Sequence, residues 1–295
     1  MTAKIIDGKE IAFKMRQEIA KEVKKLKKKF DVTPTLAVIL VGNDPASEVY
    51  VGNKEKSAHA VSMNSLQFKM SQDTSQEELI EKINELNNDK NVHGILVQLP
   101  LPKHIDAKKV IHAIDPDKDV DGFNILNVGK LSSGDIEGVD GALIPCTPLG
   151  CIHLLKSVAG KDLSGLKTLV IGTSNIVGRP LARLLMQESC TVTIANRSTK
   201  DLKAECLAAD VIFSATGVVN LVKADMVKKN AIIIDIGINR IKDLNGNSKL
   251  VGDVDFDNVK ELASFITPVP GGVGPMTIAY LLKNTLNCYH KQLSK

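Results

Sequence analysis

Thr168-Leu-Val-Ile-Gly-Thr-Ser-Asn-Ile-Val-Gly178 decides the fold. Thr168–Ile171 is a short apolar run suited to a buried strand, and a helical pattern follows from Val177 to Gln187. Strand, tight turn and helix in that order open a Rossmann-like dinucleotide-binding unit. Gly172 allows the turn and Gly178 permits close packing, while the helix N-terminus offers N–H groups to a pyrophosphate. Ser174 stands where the middle glycine of GxGxxG is expected. On spacing alone, an ordinary structural β–α turn remains open.

The next strand-like run, Thr191–Ile194, leads to Asn196-Arg-Ser-Thr199. An acid there would hydrogen-bond the ribose 2′-hydroxyl of NAD. None is present, and Arg197 can pair with a 2′-phosphate, which points to NADP. A solvent-exposed loop arginine is the competing reading.

Working outward, Val211–Phe213 and Ile232–Asp235 continue this series. Leu36–Val41, Leu66–Met70 and Gly94–Gln98 form an earlier one, with helical patterns between them. Strand–helix alternation predicts an α/β protein with parallel sheets covered on both faces. A boundary falls near Pro145-Cys-Thr-Pro148, where Thr147 is expected to cap a helix that has Pro148 at its first position. The last helix is expected from Met276 to about Leu293.

The 295 residues suffice for two domains, and 43% apolar with 24% charged content fits a soluble globular protein. Net charge is only +4, and Trp is absent. The basic run Lys24–Lys29 ends a helical pattern, where cations complement the dipole. Nucleic-acid binding is therefore not expected. Five cysteines form no CxxC pair and no metal spacing, so buried free thiols are expected and no metal. No apolar run reaches membrane length and Met1–Glu10 holds no apolar leader, which predicts a cytoplasmic protein.

Three further features carry chemistry. Thr267–Thr277 packs three prolines and three glycines into eleven residues. Such a segment is shaped rather than flexible, and leaves room for a planar ligand against the main chain. Tyr50 and Lys54 stand four apart on one expected helix face; a lysine whose pKa is lowered by burial can move protons there, although spacing alone favours a solvated surface pair. Gln98 ends an apolar strand, the end that ligands favour in open α/β sheets. Asp121 sits beside a glycine turn, weak evidence by itself.

Together these pieces resemble one family over nearly the whole chain: the bifunctional methylenetetrahydrofolate dehydrogenase/methenyltetrahydrofolate cyclohydrolase of the FolD type. The resemblance rests on Ala46-Ser47 through Tyr50 and Lys54, Val97–Pro102, Lys118–Phe123, Pro145–Pro148, Ser174–Pro180, Ile234–Arg240, Gly252–Val254 and Thr267–Thr277. It implies a folate-binding catalytic domain, 1–145 plus 276–295, and a Rossmann-like NADP-binding domain, 146–275, around a cleft. It implies Lys54 as the catalytic lysine, modulated by Gln98, with Tyr50 over the folate rings and Asp121 anchoring the pterin. Val97, Leu99, Pro100, Pro270, Gly271 and Gly272 would border the tetrahydrofolate substrate, with a cis bond before Pro270. Cofactor contacts would come from Gly172, Thr173, Ser174, Ile176, Val177, Gly178, Asn196, Arg197, Ser198, Thr216, Gly217, Ile238, Gly274 and Thr277. A homodimer through the second domain and a place in one-carbon metabolism serving purine biosynthesis are also implied.

The chain departs from the family pattern at Thr173, where arginine is usual, and at Ala195-Asn-Arg197, where Cys-His-Ser is usual. Arg197 would replace the missing charge. Val61-Ser-Met63, where glycine is common, alters only a helix end. A monofunctional dehydrogenase, a shikimate dehydrogenase-type oxidoreductase and a non-catalytic nucleotide-binding protein are the alternatives. Intact Tyr50, Lys54 and Gln98 oppose the first, and the 267–277 and 97–102 segments oppose the second.

Overall fold

A computed structural model describes residues 2–138, 140–242 and 246–293. The elements of the first half are β1 (Lys4–Ile5), α1 (Gly8–Phe30), β2 (Thr35–Val41), α2 (Pro45–Ala60), β3 (Asn64–Met70), α3 (Gln76–Asn88), β4 (Gly94–Val97), α4 (Ala107–Ala113) and α5 (Ile125–Ser133). There follow α6 (Cys146–Ala159), β5 (Lys167–Ile171), α7 (Gly178–Gln187), β6 (Thr191–Ala195), α8 (Leu202–Ala208) and β7 (Val211–Ser214). The chain closes with β8 (Ile232–Asp235), β9 (Asn239–Lys242), β10 (Ser248–Val251), α9 (Phe256–Val259), β11 (Phe265–Ile266) and α10 (Val273–Leu293). Among the described residues no helix is long and apolar enough to cross a membrane.

The chain divides into two compact units, Phe13–Cys146 with Ile278–Lys295, and Met1–Ala12 with Thr147–Thr277. The sequence reading places residues 1–12 with the folate-binding segment. In the structure β1 pairs in parallel with β11, Lys4 opposite Phe265 and Ile5 opposite Ile266, and so joins the other sheet.

In the Phe13–Cys146 unit the sheet is parallel, in the order β3-β2-β4. All seven residues of β2 are buried, because helices cover both faces. Side chains alternate along the strand. Ala37, Ile39 and Val41 therefore pack with Leu79, Ile83 and Leu86 of α3, whereas Leu36, Val38 and Leu40 pack with Val51 of α2 and Leu281 of α10. The helix pattern read from Ile11 to Leu26 is α1, whose Ile19, Val23 and Leu26 pack against Leu282, Leu286 and Tyr289 of α10.

The Thr147–Thr277 unit carries a six-stranded parallel sheet in the order β1-β11-β8-β7-β5-β6. Leu169, Ile171, Ile212, Ile233 and Ile266 share one buried face with Cys206 of α8. The chain passes from β5 to β6 on one side and returns to β7 on the other. That reversal leaves a crevice at the carboxyl end of β5, where such sheets bind ligands. The two-domain α/β architecture with parallel sheets is as expected.

Two helix starts differ from expectation. Thr147 does not cap α6; the helix already begins at Cys146. The Thr147 hydroxyl lies 2.9 Å from that of Thr277, which occupies the group a cap would use. Pro148 falls in the first turn, where no N–H partner is needed. The final helix begins at Val273, three residues early, once Gly272 N–H has closed a turn onto Pro268 O at 2.8 Å.

Candidate active site

Asp44 starts the helix that carries Tyr50 and Lys54. Its Oδ2 accepts from Ser47 N–H and from Ser47 Oγ, both at 2.8 Å, and Pro45 opens the first turn. Lys54 is half-buried, and Tyr50, one turn earlier, is exposed. Gln98 follows β4 directly, its N–H donating to Ile39 O at 2.8 Å, so the ladder holds it in place. The two side chains meet: Lys54 Nζ donates to Gln98 Oε1 at 2.8 Å. Gln98 Nε2 donates in turn to Leu99 O at 2.6 Å, which orients the amide with its oxygen toward the amine. The Leu99–Pro100 bond is cis, a feature absent from the sequence reading.

Asp121 completes the group. Burial lowers the Lys54 pKa, and the charges of Asp121 and Cys146 oppose that shift. Burial likewise raises the Asp121 pKa, with Lys54 opposing. Both groups are thus pushed toward their neutral forms, the condition under which a lysine exchanges protons. The Cys146 thiol is pushed far up, chiefly by burial, and stays protonated.

A buried scaffold holds Asp121. The neighbouring Asp119 accepts from Gly122 N–H at 3.1 Å, Asn124 N–H at 2.7 Å and Asn127 Nδ2 at 3.0 Å. Burial raises its pKa to about 7. Gly122 has φ +68°, and a Cβ there would lie 2.5 Å from Leu143 O, so only glycine fits. Asn284 of α10 donates to Val120 O at 2.8 Å and Ile144 O at 2.9 Å, tying together the segment that carries Asp121 and the one that enters α6. The sequence reading assigned no role to Asp119 or Asn284. An amide beside Leu281, Leu282, Leu286 and Cys288 was the available signal.

In the other unit, a cavity of about 700 Å³ opens at the carboxyl ends of β5, β6 and β7. Gly172, Thr173, Ser174, Asn196, Arg197, Ser198 and Thr216 line it. Ile176, Val177, Gly178, Gly217, Ile238, Gly274 and Thr277 lie outside its lining. Gly172 has φ +118°, and a Cβ on Gly178 would sit 1.9 Å from Gly172 O, so turn and helix need both glycines. Ser174 Oγ accepts from Val177 N–H at 3.2 Å and Gly178 N–H at 3.4 Å, ordering the turn into α7 from the position of the missing glycine. The Arg197 loop is tied by Ser198 N–H to Asn196 Oδ1 at 2.8 Å and Asn196 N–H to Thr199 Oγ1 at 2.9 Å. No acid lines the cavity. Pro270, Gly271 and Gly272 also belong to this unit, and the Val269–Pro270 bond is cis.

Among the described residues no cluster could hold a metal ion, and all five cysteines are free. Residues 6–121 match the model of the tetrahydrofolate dehydrogenase/cyclohydrolase catalytic domain, and residues 145–293 that of its NAD(P)-binding domain. The chain belongs to the tetrahydrofolate dehydrogenase/cyclohydrolase family. The bifunctional protein FolD of Cereibacter sphaeroides is 54% identical over 97% of this chain and 94% of its own. The FolD methylenetetrahydrofolate dehydrogenase/cyclohydrolase of Campylobacter jejuni superposes with a TM-score of 0.92 at 46% identity, covering 98% of this chain and 99% of that one. The Trypanosoma brucei enzyme, solved with NADP cofactor and inhibitor, gives 0.94 at 35% identity over the whole of both chains. Membership in this family sets aside the shikimate-type and non-catalytic readings.

Proposed function

We propose that Lys54 moves the protons of a bifunctional folate enzyme, one that oxidises 5,10-methylenetetrahydrofolate with NADP and then hydrolyses 5,10-methenyltetrahydrofolate to 10-formyltetrahydrofolate. The observation that carries this is the 2.8 Å Lys54–Gln98 contact on an amine whose pKa burial lowers. Water adds to the methenyl carbon of the substrate, and the ring opens at the adjacent nitrogen. Both protons must leave the water oxygen as it becomes the formyl carbonyl, one reaching that nitrogen and the other released to solvent. A half-buried amine whose pKa burial lowers can take one of them from the oxygen and pass it to the nitrogen. Gln98 accepts from Nζ without a charge, so it positions the amine and does not hold it protonated.

The carboxylate of Asp121 supplies an acceptor for the pterin's amino and ring N–H groups, and Tyr50 offers an aromatic face one turn from Lys54. Val97, Leu99 and Pro100 would border the same ligand. The cofactor supplies a hydride acceptor when bound. The 700 Å³ cavity has the size of a ligand site. Its glycine turn suits a pyrophosphate, and Arg197, with no acid in the lining, suits a 2′-phosphate. Thr173 would contribute a hydroxyl where a guanidinium is usual.

The folate domain accordingly centres on residues 13–146 and 278–295, and the NADP domain on residues 1–12 and 147–277. We also take the protein to be a cytoplasmic homodimer serving purine biosynthesis, consistent with five free thiols.

The test is a time course of methenyltetrahydrofolate after mixing protein, methylenetetrahydrofolate and NADP. Formation followed by enzyme-accelerated decay is expected. Formation without accelerated decay would leave a monofunctional dehydrogenase. Lys54→Ala should abolish the decay and retain measurable formation; equal loss of both would overturn the role given to Lys54.

A further inference from the structure

Asp253 is fully buried, and no cation pairs with it among the described residues. An uncompensated buried carboxylate is costly unless donors surround it. Here they do. Its Oδ2 accepts from Ser214 Oγ at 3.1 Å, Thr216 N–H at 2.7 Å, Thr216 Oγ1 at 2.9 Å and Gly217 N–H at 3.3 Å. Its Oδ1 accepts from Asn239 Nδ2 at 3.0 Å. Thr216 Oγ1 passes the order on, accepting from Val218 N–H at 3.3 Å. Thr216 and Val218 both line the nucleotide cavity, while Asp253 stands behind them.

We propose that Asp253 is a positioning residue for the cofactor: its carboxylate fixes the 214–218 segment as one wall of the nucleotide cavity and thereby sets affinity for NADP. The proposal rests on the reading that this cavity takes NADP.

Asp253 is itself held. Its N–H donates to Asp235 Oδ1 at 3.0 Å, and Val254 N–H donates to Asp235 Oδ2 at 2.9 Å. Asp235 N–H donates to Thr267 Oγ1 at 2.8 Å, at the start of the proline- and glycine-rich segment. Two buried carboxylates in series thus tie Thr267 to the cavity wall. The fit is close: a Cβ on Gly237 would lie 2.0 Å from Asp253 Oδ1, so only glycine leaves room for the carboxylate there.

An amide cannot substitute. Asparagine accepts at one end only. With its oxygen in the Oδ2 position its NH2 would face the NH2 of Asn239; turned over, its NH2 would face four donors. Either the Asn239 contact or the anchor of the 216–217 peptide is lost, while the folate-side residues Lys54, Gln98 and Asp121 keep theirs.

The experiment compares Asp253→Asn, Ser214→Ala and Arg197→Ala, each assayed for NADP-dependent oxidation and for hydrolysis of added methenyltetrahydrofolate. Asp253→Asn should raise KM for NADP by about 10-fold or more, the loss of one charge-assisted hydrogen bond or more. Its kcat at saturating NADP should stay within about 3-fold, and its hydrolysis rate within about 2-fold, because loosening the wall weakens binding alone. Ser214→Ala removes a single donor and should raise KM by roughly 2- to 5-fold. A normal KM for NADP in Asp253→Asn, with a raised one in Arg197→Ala, would overturn the positioning role. Normal values in both would instead refute the cavity as the NADP site. If Asp253→Asn does not fold, Ser214→Ala decides, and an unchanged KM there refutes the proposal.

Discussion

Replacing Gln98 by glutamate tests the Lys54 assignment with a single added charge. The amide oxygen lies 2.8 Å from Nζ, and the substitution puts a carboxylate oxygen there. Coulomb's law gives an attraction of about 6 kcal/mol at an effective dielectric of ~20, and about 1.5 kcal/mol at ~80. The lower part of that range applies, for two reasons. Lys54 is half-buried and keeps some contact with solvent, and the second carboxylate oxygen would face Leu99 O, 2.6 Å from the present Nε2. Like-charged oxygens there push the ionised group aside. Stabilising the ammonium by about 1.5 to 3 kcal/mol raises its pKa by roughly 1 to 2 units. If hydrolysis needs the neutral amine, the rising limb of its pH–rate profile moves up by the same amount. Below that limb the rate falls about 10- to 100-fold. Oxidation needs no proton at Lys54 and should fall much less. The assay is absorbance decay of methenyltetrahydrofolate, corrected for the spontaneous reaction, with oxidation followed in parallel. A rising limb at the wild-type position, or a faster rate at neutral pH, would refute the neutral-amine role.

Arg197→Ala should raise KM for NADP by about 10-fold or more and leave that for NAD within about 2-fold, the value of one charge-assisted contact; equal effects on both would place the 2′-phosphate elsewhere. Gly178→Ala should destabilise the protein by about 1–3 kcal/mol, because its Cβ would meet Gly172 O at 1.9 Å and both partners are backbone; thermal unfolding checks this, and a neutral effect would mean that α7 can move freely. Asp119 binds its proton more tightly folded, at about 7, than unfolded, near the ordinary value of 3.8. Its contribution to stability is therefore full below pH ~4 and lost as the pH rises toward ~7. Asp119→Asn should flatten that decline in denaturant titrations at pH 4 to 8, and an unchanged slope would deny the buried titration.

Much of the fold is legible because the strands obey local rules. Leu36–Val41 and Thr168–Ile171 are apolar on both faces, and each ends in a glycine with positive φ, Gly42 and Gly172. Burial on both faces forces the first feature and the tight exit forces the second. Helix starts are less legible, since they depend on where a side chain is already engaged. Thr147 satisfies the preference for a cap, yet its hydroxyl meets Thr277, a residue 130 positions away. Scaffold residues are less legible still. Asn284 reaches Val120 and Ile144 across 164 and 140 positions, and no spacing rule relates them.

The site follows from topology more than from motif. In the Phe13–Cys146 unit, β2 is central, with β3 on one side and β4 on the other. The connection leaving β2 carries Tyr50 and Lys54, and the exit of β4 carries Gln98. Adjacent parallel strands bring those two exits together, although the residues are 44 apart in sequence. In the other unit β5 stands between β6 and β7, and their three exits supply Gly172, Arg197 and Thr216 to one cavity. The same reversal of strand order thus brings Lys54 and Gln98 together in one sheet and opens the cavity in the other. What differs is the backing. Lys54 is set by one neutral amide, so its charge is free to change; the wall at Thr216 is set by a buried carboxylate with five donors, so it is fixed. A group that must gain and lose a proton needs the first arrangement, and a wall that must stay in place for a dinucleotide needs the second.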